Sequence, residues 1–95
     1  LGLQLEMELL TSYKFYLNAL RKVKMEGINV ETASQNFQLT EEKYKLGQVI
    51  NTTFREAQYN LIVAKNSYNN SKFNAKLAEL EIIKLSGVLL KQATN

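Results

Sequence analysis

Two long apolar rows, each repeating every seven residues and broken only near Leu46-Gly47, constrain this chain more than any other feature. Before the break, Leu9, Tyr16, Val23, Val30, Phe37 and Tyr44 form one row, and Leu5, Ser12, Ala19, Glu26, Ala33 and Thr40 fill the positions four earlier. After it, Phe54, Leu61, Tyr68, Ala75, Ile82 and Leu89 recur at the same interval, with Ala57, Ala64, Ser71, Ala78 and Leu85 three residues on. Such spacing is the a/d seam of a coiled coil, and neither segment alternates with the two-residue period of a strand. The expected fold is therefore all-α, a long antiparallel two-helix coiled-coil hairpin.

A short turn also sets the register, because residues facing each other across antiparallel helices have numbers with a constant sum, here about 97 or 98. On that register Phe37 faces Leu61, Val30 faces Tyr68 and Tyr16 faces Ile82. Thr40 likewise faces Ala57, Ala33 faces Ala64 and Ala19 faces Ala78, so large and small layers alternate. Small residues allow close backbone approach, which predicts tight packing, with Glu26 and Ser71 as a polar layer that helps to fix register.

Local signals give the boundaries. Thr52 or Thr53 is suited to accept a hydrogen bond from the free amides of a helix start, and Thr53-Phe54-Arg55-Glu56 matches the capping box. Lys84 and Gly87 have the character of a helix end. One domain is thus expected over 1–95: helix 1 at about 3–45, a tip at about 46–52, helix 2 at about 53–86 and a tail over 87–95. Helix 2 would then run roughly 50 Å at ~1.5 Å per residue. Glycine inside a helix costs about 1 kcal/mol relative to alanine, so Gly27 is the weak point of helix 1, and Asn29 could cap a new helix there. The heptad phase persists from Val23 and Glu26 to Val30 and Ala33, which favours one continuous, bent helix.

Composition narrows the chemistry. The 95 residues contain no proline, cysteine, histidine or tryptophan. Disulfides, thiol or imidazole metal sites and Ser-His or Cys-His catalysis are excluded, and no enzyme, cofactor or metal centre is expected. The net charge of +3 comes from dispersed lysines rather than a basic block, so nucleic acid is not an expected partner. No run of about 20 apolar residues is present to span a bilayer as a helix. Asn51-Thr52-Thr53 and Asn69-Asn70-Ser71 match glycosylation acceptors, a chance outcome in an Asn-rich chain. Leu1 is not an initiator methionine, and the chain reads as a piece of a longer protein.

A two-helix hairpin has no centre for a compact core, so its stability alone should be marginal. Apolar residues outside the seam add to the exposed surface: Leu3, Leu10 and Leu17 form a second row, and Leu77, Leu80 and Ile83 widen the face of helix 2. Those surfaces call for partners. Asn60, Ser67 and Asn74 form an uncharged polar row that suits either the lining of a water-filled duct or an ordinary exposed face.

The run Glu42-Lys43-Tyr44-Lys45-Leu46-Gly47, then Arg55-Glu56-Ala57-Gln58-Tyr59-Asn60-Leu61, then Ala64 and Leu85-Ser86-Gly87-Val88-Leu89, resembles the C-terminal helical hairpin of TolC-like outer-membrane efflux proteins. The resemblance covers residues 30–89. It implies a piece of a trimeric duct whose α-helical tunnel crosses the periplasm beneath an outer-membrane β-barrel, the barrel strands lying outside this chain. The localisation it implies is the periplasmic portion of a Gram-negative outer-membrane protein, serving tripartite efflux or type I secretion. Its partner would be a periplasmic adaptor and, through it, an inner-membrane transporter.

By that resemblance Leu46, Gly47 and Gln48 occupy the tip positions that dock the adaptor. In the family's namesake two aspartates just inside the second helix constrict the duct entrance. Thr53 and Glu56 stand at the matching positions here, so only one carboxylate is kept. The isolated piece, without a barrel to impose threefold symmetry, is expected to form a dimer. Two other readings stay open, namely the hairpin of a periplasmic adaptor and a structural coiled coil with no transport role.

Overall fold

The computed structural model describes residues 2–94, with side chains through residue 91. Two helices account for nearly all of it: α1 over Gly2–Lys45 and α2 over Asn51–Thr94. Among the described residues there is no strand. The chain is an all-α antiparallel hairpin, as the heptad rows require.

Burial follows the rows. In α1 Leu5, Leu9, Ser12, Tyr16, Ala19, Val23, Glu26, Val30, Ala33 and Phe37 are half-buried and Thr40 is buried, while their neighbours on the outer face are exposed. In α2 the same pattern picks out Phe54, Ala57, Leu61, Ala64, Tyr68, Ser71, Ala75, Ala78, Ile82, Leu85 and Leu89. Tyr44 departs from the pattern: it ends its row beside the turn and remains exposed. Full burial is rare because two helices can cover only one stripe of each other, and 22 large apolar side chains stay exposed among the described residues.

The hairpin divides into two compact units. One comprises residues 24–70 and contains the turn. Within it Tyr44 stacks on Phe54 with ring centroids 4.8 Å apart, a pair whose numbers sum to the expected register. Thr40 and Ala57, facing partners on the same register, are the buried residues of this unit, Ala57 being 5% exposed. The Thr40 hydroxyl donates to the Asn36 carbonyl at 2.8 Å, which satisfies the one polar atom that this burial would otherwise isolate. Gly27 does not break α1. It is half-buried, and a methyl group placed there would stand 3.4 Å from Cε1 of Tyr68.

The other unit comprises residues 2–23 with 71–94. Ser71, 3% exposed, and Ala75 are its buried residues. The small residues of this unit are unevenly covered: Ser71 and Ala75 are buried, whereas Ser12, Ala19 and Ala78 are half-buried. Ser12, Ala19, Ser71 and Ala78, with Phe15 and Leu77 among the walls, line an open groove of about 710 Å³. Among the described residues no further element covers this groove.

Three boundary expectations are corrected. α2 begins at Asn51, before the expected start, because the Phe54 amide already donates to the Ile50 carbonyl at 3.2 Å. Ile50 is therefore the cap residue, and Thr53 lies inside the first turn, where it cannot form the proposed capping box with Glu56. α2 also does not end at residue 86. It continues through Gly87 to Thr94, so the expected tail over 87–95 is helix throughout its described part, while Asn95 lies outside the described residues. The apolar row that continues to Leu89 offsets the roughly 1 kcal/mol cost of a helical glycine.

Candidate functional site

The turn has a definite geometry. Gly47 is the one positive-φ residue among those described, at 73°. The Gly47 amide donates to the Tyr44 carbonyl at 3.0 Å and the Gln48 amide to the Lys43 carbonyl at 2.8 Å. These two bonds together are a Schellman motif, which satisfies carbonyls that the end of α1 would leave free and which requires a left-handed residue after the cap. Glycine meets that requirement without the steric penalty of a Cβ. Leu46 occupies the cap itself, its amide donating to Glu42 at 3.2 Å.

Lys43 and Lys45 lie in the last turn of α1, where positive charge complements the carbonyl end of the helix. Lys45 also pairs with Glu41 at 3.2 Å. The pair is solvent-exposed and contributes on the order of 0.3–0.5 kcal/mol.

Two apolar side chains project from this turn into solvent, Leu46 at 72% and Ile50 at 70% exposure. Gln48 between them is also exposed, and Val49 is half-buried. Leu46, Gly47 and Gln48 were all expected at the tip, and the structure brings them together there. Ile50 was not expected to belong to the site. The signal that identifies it is an isoleucine directly before the first helical residue, a place usually given to a polar cap.

Below the turn the aromatic residues anchor both helix ends. Phe54 stacks on Tyr44 at an interplanar angle of 20° and also meets the Phe37 ring, with centroids 5.5 Å apart and rings tilted by 37°. Val49 and Phe54 also stand at the two positions of a hydrophobic staple, before the cap and at the fourth helical residue.

Thr53 and Glu56 lie three residues apart in the first turns of α2, so they share a helix face, and both are exposed. Of the polar row on α2, Asn60 and Asn74 are exposed and Ser67 is half-buried. Among the described residues there is no group of three or more acidic side chains able to hold a metal ion. No helix among them is long and apolar enough to cross a membrane. What this arrangement can do chemically is present an apolar tip of fixed backbone to another surface. Comparison of the chain with known protein families, with curated proteins and with solved structures found no match.

Proposed function

We propose that this chain is a periplasmic tunnel segment of a trimeric outer-membrane export duct of the TolC-like kind, and that its tip docks a periplasmic adaptor linked to an inner-membrane transporter. The observation that carries the reading is the pair Leu46 and Ile50, two apolar side chains 72% and 70% exposed on a turn of defined hydrogen bonding. Two exposed apolar side chains gathered on one rigid turn suit the buried centre of an interface. The exposed rows at Leu3, Leu10 and Leu17 and at Leu77, Leu80 and Ile83 support the wider assembly, since neighbouring hairpins in a duct would cover them. At the entrance of such a duct Glu56 would contribute one carboxylate per chain, and Thr53 only a hydroxyl.

Leu46→Asp in the protein that carries this segment tests the reading. A carboxylate placed in a water-excluding contact without a partner costs several kcal/mol, so export and adaptor crosslinking at the tip should be lost. Trimer yield in the membrane should stay normal, because Leu46 lies outside the seam. Normal efflux-dependent resistance together with normal crosslinking would leave Leu46 with no docking role.

A further inference from the structure

The tip backbone is tied to α1 by the Schellman bonds, yet nothing in those bonds relates it to α2. Two links supply that relation, the backbone bond that opens α2 at Ile50 and a side-chain stack that reaches back to α1. Phe54 stacks on Tyr44, whose own carbonyl receives the Gly47 amide. The amide of Phe54 in turn donates to the carbonyl of Ile50. One ring thus joins the residue that closes the turn to the residue that opens the second helix. Five residues, 46–50, are held between them, and they include the exposed Leu46 and Ile50.

We propose that Phe54, through its stack on Tyr44, is a positioning residue that orders the tip and so sets how Leu46 is presented to its partner. The inference rests on the docking role of the tip for its functional half; the ordering half stands on the ring geometry alone. The contact of Phe54 with Phe37 lies further from the turn and serves the seam instead. Stacked aromatic pairs contribute beyond the area they bury, so replacing either ring by leucine keeps an apolar filler and removes the stack.

The test uses amide hydrogen exchange in this chain with Phe54→Leu, Tyr44→Leu and Phe37→Leu. The first two should each speed exchange at Gly47 and Gln48 about tenfold while leaving the Ala64 amide unchanged, since the loosening is local. Phe37→Leu should leave the tip amides at their original rates. Uniform acceleration in all three variants would mean a merely structural aromatic cluster and would overturn the inference, as would tip amides that do not respond.

A second arm measures crosslinking to the adaptor from Gln48→Cys, the only thiol in an otherwise cysteine-free chain. Yield should fall in the Phe54→Leu and Tyr44→Leu backgrounds although Leu46 is intact. If Leu46→Asp lowers the yield and these two do not, the positioning role is refuted and docking stands. If Leu46→Asp leaves the yield unchanged, docking itself is refuted, and the exchange rates still decide whether the stack orders the tip.

Discussion

Gly27→Ala should stabilise this protein, and the structure allows the size of the effect to be worked out. Gly27 lies inside a continuous α1 with ordinary helical φ. Replacing a helical glycine by alanine gains about 1 kcal/mol in backbone entropy and solvation. The new methyl would stand 3.4 Å from Cε1 and 3.7 Å from Cζ of Tyr68, which is contact without overlap. At a half-buried position this packing adds a few tenths of a kcal/mol, by the rule of ~0.8 kcal/mol per fully buried methylene.

The net gain of about 1 kcal/mol corresponds to a rise in Tm of roughly 4–8 °C for a domain of this size. Two other glycines calibrate it. Gly87 has nothing within 4 Å of an added Cβ, so Gly87→Ala reports propensity alone and should raise Tm by less. Gly47, at φ 73°, should do the opposite, losing about 1–2 kcal/mol on replacement by alanine. Thermal melts followed by far-ultraviolet circular dichroism, all at one protein concentration because association shifts apparent stability, give the order. A Tm for Gly27→Ala below that of the parent would refute the reasoning. It would mean that the Tyr68 ring cannot yield and that glycine is kept for close packing, in which case Tyr68→Leu should restore the gain.

The small layers make a graded prediction: Ala57→Leu, at the buried layer opposite Thr40, should cost ~1–3 kcal/mol by overpacking, and Ala64→Leu, at a half-buried site, should cost less. Lys65→Leu on the exposed face is the control, and equal melting temperatures for all three would show that the assigned register is wrong. The uncovered apolar rows predict self-association, so sedimentation at tens of micromolar should detect species larger than one chain. A strictly monomeric, stable helix pair would count against the argument that these rows need covering.

The seam was legible in the sequence because a heptad is a geometric statement: side chains seven apart on an α-helix return to one face whatever lies opposite. All of the expected seam positions except Tyr44 lose solvent in the fold. Gly27 could be read as helical for the same reason, since an uninterrupted phase on both sides outweighs a cost of about 1 kcal/mol. The turn was legible through Gly47, the residue type that tolerates a left-handed backbone.

Tertiary structure decided the rest. Where α2 starts depends on the path of the tip, and the chain closes its turn so that the Ile50 carbonyl, rather than a threonine, opens the helix. Its far end depends on packing, which carries the helix past Gly87 where local propensity would stop it. Alanine and serine recur with the same period in both units, yet Ala57, Ser71 and Ala75 are buried while Ala19, Ala33, Ala64 and Ala78 are only half-buried. Period records which face a residue occupies but not how completely the opposite side chains cover it. That cover comes from the large side chains of the adjoining layers, which act together only once the two helices have met.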